Sequence, residues 1–145
     1  QGLSYAVANR GADHMYGGML GLEYSGELDP EGTLGKADTL VEKENRNVIR
    51  DSGVVCAFAG DYITDERLAT LLETDYERLQ EIGAEAIARE RHFNNQRGKD
   101  VEDDRLPYEI PDLDEAIQEY YDARGWDDDG TVADVDSAAP ASADD

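Results

Sequence analysis

Thr64-Asp65-Glu66-Arg67-Leu68-Ala69-Thr70-Leu71-Leu72-Glu73-Thr74-Asp75-Tyr76-Glu77-Arg78-Leu79-Gln80-Glu81-Ile82-Gly83 is the stretch whose reading decides the fold class. Thr64 is an N-cap residue type, able to accept a hydrogen bond from a first-turn N–H, and Asp65 and Glu66 place negative charge at the positive end of a helix dipole. Leu68, Leu71, Leu72, Tyr76, Leu79 and Ile82 then trace one helical face. Gly83 is read as the stop, and a second helix is expected from Ala84 to about Asn94, burying Ile87, Ala88 and Phe93.

The same period recurs outward in both directions. Leu40, Val41, Val48 and Ile49 predict a helix over Ala37 to Asp51, and Gln1 to Asn9 predicts another that ends at Arg10-Gly11, where glycine supplies a positive φ. Residues 17 to 35 hold six glycines and Pro30, a density that predicts a loop. Downstream, Pro107 and Pro111 bracket a loop. Asp112 is placed to cap a helix that carries Leu113, Ala116, Ile117, Tyr120 and Tyr121 and stops at Gly125. Few segments alternate with period two, so the fold class is all-α and multihelical. Three segments are expected: residues 1–62, a helical and loop segment bearing the chemical candidates; residues 63–126, a helical segment; and residues 127–145, an acidic tail. The tail holds seven aspartates and no basic residue, and is expected to be disordered because it cannot bury enough surface to offset its ordering entropy.

Charge narrows the partners. Against 13 Lys plus Arg stand 35 Asp plus Glu, a formal charge of -22 over 145 residues. Such a surface repels nucleic acid and anionic membranes, so neither is an expected partner. The acids are spread along the chain and ten of the 13 cations are Arg, a pattern that points to a halophile. At molar salt the Debye length falls to about 3 Å and like charges cease to oppose compaction. An acidic, partly disordered interaction protein is the alternative that charge alone allows.

One cysteine leaves no internal disulfide framework, which fits a reducing cytoplasm. The apolar run Val54 to Ala59 is too short to cross a bilayer. The opening Gln1-Gly2-Leu3-Ser4-Tyr5 lacks the basic start and apolar centre of a secretory signal. It also lacks an initial methionine, which sets the expectation that further protein lies upstream. No glycine-rich phosphate cradle with a lysine occurs.

Three residue types stand out for chemistry. Cys56 closes Asp51-Ser52-Gly53-Val54-Val55-Cys56, and His14 ends the polar run Asn9-Arg10-Gly11-Ala12-Asp13-His14. Each has an ordinary reading. A lone cysteine in an apolar stretch is commonly a small buried hydrophobe, a polar histidine after a helix end is commonly a surface or capping residue, and Asp51 can simply cap a turn.

Read in order, those two runs together with Glu90-Arg91-His92-Phe93-Asn94, Asp104-Arg105-Leu106-Pro107 and Tyr120-Tyr121-Asp122-Ala123-Arg124-Gly125-Trp126-Asp127 resemble the C-terminal part of the aldehyde ferredoxin oxidoreductases. These are tungsten or molybdenum bis-pterin enzymes. The resemblance covers roughly residues 1 to 130 and implies a helical C-terminal fold, with Asp51 accepting from the pterin N–H groups and the main chain of Gly53, Val54 and Val55 packed along the pterin. It further implies Cys56 as one thiolate of a [4Fe–4S] cluster, which normally needs four, and His14 beside the metal as a proton carrier. The implied partners are a missing N-terminal domain or subunit with the remaining cysteines, a small aldehyde substrate, and ferredoxin. Alone, the chain is then expected to be inactive. Departures are Val54-Val55 where a Gly-Leu pair is common, which bears on the local backbone path, and Gln96-Arg97 where an Arg-Glu order is usual. His92 falls at an often apolar position and reads as a helix-face residue. A non-catalytic acidic helical remnant or interaction module is the competing reading.

Helicity measured by circular dichroism should be low in dilute buffer and rise toward its full value in molar KCl, whereas helicity unchanged between the two contradicts the halophile reading.

Overall fold

Leu40 of the helix expected over residues 37–51 is fully buried, and the two other long helices pack against that helix. The computed structural model describes residues 1–60, 62–133 and 135, and among these every regular element is helical. In chain order these are α1 (Gly2–Val7), α2 (Leu20–Ser25), α3 (Ala37–Ser52), α4 (Asp65–Leu71), α5 (Tyr76–Asn95) and α6 (Leu113–Arg124), with short 3-10 turns at Ala57–Ala59 and Val101–Asp103. α3 packs against both α5 and α6, α1 lies on α6, and α4 lies on α5. The main core joins Leu3, Val7, Leu40, Ile87, Ile117 and Tyr120, so it draws on both residues 1–62 and residues 63–126. A smaller cluster of Leu68, Ala69 and Leu79 sits under α4, with Ile49, Val55 and Ile63 packed at its edge.

Two charged networks lie inside the apolar packing. Arg91 and Asp104 have fully buried side chains 2.8 Å apart, and Asp104 also accepts from the Tyr121 hydroxyl and pairs with Lys99. In the second network, Glu44 accepts from Arg124 at 2.6 Å and from the Tyr120 hydroxyl at 2.7 Å, and Arg124 reaches Asn45 as well. Burial pushes the Glu44 carboxyl above its ordinary range even though Arg124 pulls it down.

Local structure departs from the sequence expectation at four places. The long helix expected over 64–82 is two helices. Thr64 caps α4 by accepting from the Arg67 N–H, as expected, but α4 ends at Leu71 and Glu73 turns left-handed at φ 55°. Asp75 then starts α5 with its own side-chain cap to the Arg78 N–H. A second capping residue offers the backbone an alternative to continued helix, and the break leaves Leu71 and Leu72 exposed. Gly83, expected as a stop, lies inside α5, which runs unbroken from Tyr76 through the helix expected to begin at Ala84.

In the glycine-rich loop, residues 20–25 form a helical turn closed by Gly26 in the left-handed conformation. Residues 127–133, expected as part of the mobile tail, fold back onto α5. The Gly130 carbonyl accepts from Arg91 Nε at 2.7 Å, the Val132 N–H donates to Asn95, and Asp127 N–H donates to the Thr131 carbonyl. The rest of that expectation, for residue 134 and residues 136–145, lies outside the described residues. His92 is on the helix face as expected, with Nδ1 3.3 Å from the Val132 carbonyl.

Gly83 has a specific role in this packing. A Cβ there would lie 2.5 Å from the Asn45 carbonyl oxygen and 2.8 Å from its Cα, so only glycine lets α5 approach the α3 backbone this closely. Were Gly83 merely an exposed helical residue, alanine would stabilise by about 1 kcal/mol. Because α3 backbone occupies the space, Gly83→Ala should instead destabilise by about 1–3 kcal/mol, measured by denaturant unfolding in molar salt.

Candidate functional site

α3 ends by closing its last carbonyls locally. Gly53 N–H donates to the Ile49 carbonyl at 2.9 Å, Val54 N–H to Asp51 at 3.1 Å, and Val55 N–H to Arg50 at 2.8 Å. The turn requires a positive φ at Val54, 56°, a region that favours glycine and that a β-branched residue rarely enters. The glycine expected here from the resemblance would adopt that backbone without strain. Beyond it Val55 turns inward toward the cluster under α4, while Cys56 is exposed and opens the 3-10 turn Ala57–Ala59. The cysteine is therefore not the small buried hydrophobe of the ordinary reading.

This loop rests on a cationic strut. Arg50 is buried, and its Nη2 donates to the Ile63 carbonyl at 2.8 Å and to Asp65 at 2.9 Å, where Arg46 also donates. Partial burial opposes ionisation of Asp65, but the hydrogen bonds from Arg46 and Arg50 outweigh it and hold the carboxyl below its ordinary range. Above the strut the surface is apolar and open: Val54, Phe58 and Tyr62 are 90%, 96% and 76% exposed.

The His14 loop is built by Asp13, whose carboxylate accepts from Arg10 Nε and from the N–H groups of Met15 and Tyr16. That is the Asx-turn geometry a short acidic side chain favours. The hydrogen bond to Asp13 outweighs desolvation of Arg10 and, with the charges of Asp13 and Asp51, lifts the guanidinium above its ordinary range. Tyr16 then anchors the loop, buried with its hydroxyl donating to Glu90 at 2.6 Å. Asn47 on α3 donates to the carbonyls of Met15 and Tyr16. His14 is left exposed at the tip.

The fold thus brings the His14 loop to the last turns of α3, from which Asp51, Gly53, Val54, Val55 and Cys56 continue. Among the described residues no hydrogen bond joins His14 to Asp51 or Cys56, and the Asp51 side chain is exposed and makes neither a hydrogen bond nor an ion pair. No group of three or more His, Cys, Asp or Glu among them is placed to hold a metal. What the chain presents there is an exposed free thiol, an exposed carboxylate and an exposed imidazole. Asn47 and Arg50 were not singled out in the sequence. Their signal was only that they share the polar face of α3 with Asp51 at helical spacing.

The strained turn can be tested by itself. Val54 is almost fully exposed, so Val54→Gly removes little packing while relieving a left-handed β-branched residue, and should stabilise the chain by about 0.5–1 kcal/mol. Val55→Gly, which strips a side chain from the cluster under α4, should destabilise it in the same denaturation assay.

A comparison with curated proteins returned no match. The family model described as aldehyde ferredoxin oxidoreductase, domains 2 and 3, matches residues 1–135. With nearly the whole chain matched, this chain belongs to the aldehyde ferredoxin oxidoreductase family, within the part formed by domains 2 and 3.

Proposed function

We propose that this chain supplies one wall of an aldehyde-oxidising site and works with further protein that completes it. The observation that carries this reading is the exposed Cys56 thiol on an open apolar turn leading directly from Asp51, with the His14 loop held on the same helix. An unsatisfied exposed carboxylate, a thiol and an imidazole suit contact with groups from another polypeptide. They form no closed site of their own.

In that assembly Asp51 would hold the N–H groups of a pterin by charge-assisted hydrogen bonds, with the main chain of Gly53 to Val55 alongside. Cys56 would provide one thiolate to a [4Fe–4S] cluster, the other ligands coming from the completing protein. When bound, the tungsten or molybdenum pterin and the cluster would supply the redox chemistry for two-electron oxidation of the aldehyde, with ferredoxin as the electron acceptor. His14 holds or moves a proton at its imidazole as water oxygen adds to the aldehyde carbon and the carboxylic acid forms. Arg50 and Asp65 keep the Cys56 loop in place beneath that surface. A reducing cytoplasm is the compartment this chemistry fits. Among the described residues no helix is long and apolar enough to cross a membrane.

The test is metal analysis of the chain co-produced with the upstream polypeptide that completes the family's fold. The complex should contain tungsten or molybdenum together with iron and oxidise small aldehydes. Cys56→Ser should lose the cluster iron, while His14→Ala should retain the metals and lose about 10²–10⁴-fold in turnover. Full iron content in the Cys56→Ser complex overturns the ligand assignment, and a complex without tungsten, molybdenum or iron supports the non-catalytic helical module instead.

A further inference from the structure

Loop residues 10 to 16 are built mostly from internal contacts. Asp13 closes the turn on Arg10, Met15 and Tyr16, and the tip residues Gly11, Ala12, His14 and Met15 are all exposed, so apolar packing does not fix where the tip points. At its C-terminal foot Tyr16 is tied to Glu90 of α5. The hydrogen bonds that leave this loop for α3 both come from a single amide: Asn47 Nδ2 lies 3.2 Å from the Met15 carbonyl and 2.8 Å from the Tyr16 carbonyl. Both acceptors are carbonyls, so the amide orientation is set by the network, with the nitrogen toward the loop.

Asn47 stands one helical turn before Asp51, with Arg50 between them bracing the loop that follows Cys56. We propose that Asn47 is a positioning residue, setting the place of His14 relative to Asp51 and Cys56 and thereby the turnover of the reaction, an inference that rests on the function proposed above. An amide is suited to this task. It carries two N–H groups on one nitrogen, enough for two successive carbonyls, and brings no charge that would compete with Arg10 or Asp51 nearby. Aspartate at the same place has the same shape but would aim two acceptors at two acceptors.

Two measurements test this. In the isolated chain in molar salt, the imidazole signals of the two histidines can be followed by NMR. Asn47→Ala and Asn47→Asp should shift or broaden His14, leave His92 unchanged, and preserve helicity. In the metal-loaded complex, Asn47→Ala should lower kcat about 10- to 100-fold with KM and metal content unchanged, the effect expected of a misplacement near 1 Å. Because Asn47 acts through His14, the double variant Asn47→Ala/His14→Ala should be no slower than His14→Ala alone.

Unchanged kcat in a metal-loaded Asn47→Ala complex overturns the positioning role alone, as do losses that multiply in the double variant. Unaltered His14 signals in both Asn47 variants also overturn it. A complex devoid of metal contradicts the functional reading and takes the positioning role with it, so the two failures are distinguishable.

Discussion

Burying the Glu44 carboxylate against Arg124 and the Tyr120 hydroxyl is the constraint on which the placement of α3 depends. A carboxylate removed from water costs several kcal/mol, and its pairing with Arg124 offsets that cost only in good geometry. The net contribution to stability is therefore small. The contribution to placement is large, since sliding or rotating α3 would leave one or both charges buried without a partner. Arg124 adds a contact to Asn45, the residue whose backbone Gly83 of α5 approaches most closely. Charge on one side and close packing on the other hold α3 between α5 and α6.

Everything assigned to the candidate site hangs from the far end of that helix. Asn47 holds the His14 loop, Arg50 supports the turn that follows Cys56, and Asp51 continues into the segment that ends at the thiol. The loops themselves bury little: Val54, Phe58 and Tyr62 are largely open to solvent, and the tip of the His14 loop is exposed. A rigid helix bearing lightly packed loops suits a surface that must fit against other protein, because complementarity there is set by the helix while the loops retain freedom to close. The chain belongs to the aldehyde ferredoxin oxidoreductase family, and the function proposed above assigns its chemistry to that open surface.

What the sequence made legible was local. The period of Leu40, Val41, Val48 and Ile49 located α3, and Asp112 and Gly125 bracketed α6, although Asp112 acts at that boundary through a left-handed backbone with no side-chain cap bond. Thr64 was recognisable as a cap. The second cap at Asp75 was not, because six apolar residues at near-helical spacing concealed a break that leaves two of them exposed. Gly83 was misread for a physical reason: its purpose is contact with a backbone 38 positions away, which no local signal carries. Arg91 and Glu44 stand on helices as ordinary charged residues would, and only tertiary packing reveals them as buried. The ordering of residues 127–133 follows from Arg91, whose Nε seeks the Gly130 carbonyl. At the site, Val54 was legible as a departure where glycine is common, and the backbone explains why it matters.

The most direct measurement of this account is native-state hydrogen exchange along α3 and the loop beyond it, in molar salt. Amides of Leu40 to Arg50 should exchange only through global unfolding, while those of residues 57–60 and 62–63 should exchange far faster through local opening. Exchange in the last turns of α3 as fast as in the Cys56 loop would contradict the claim that a rigid helix carries the site.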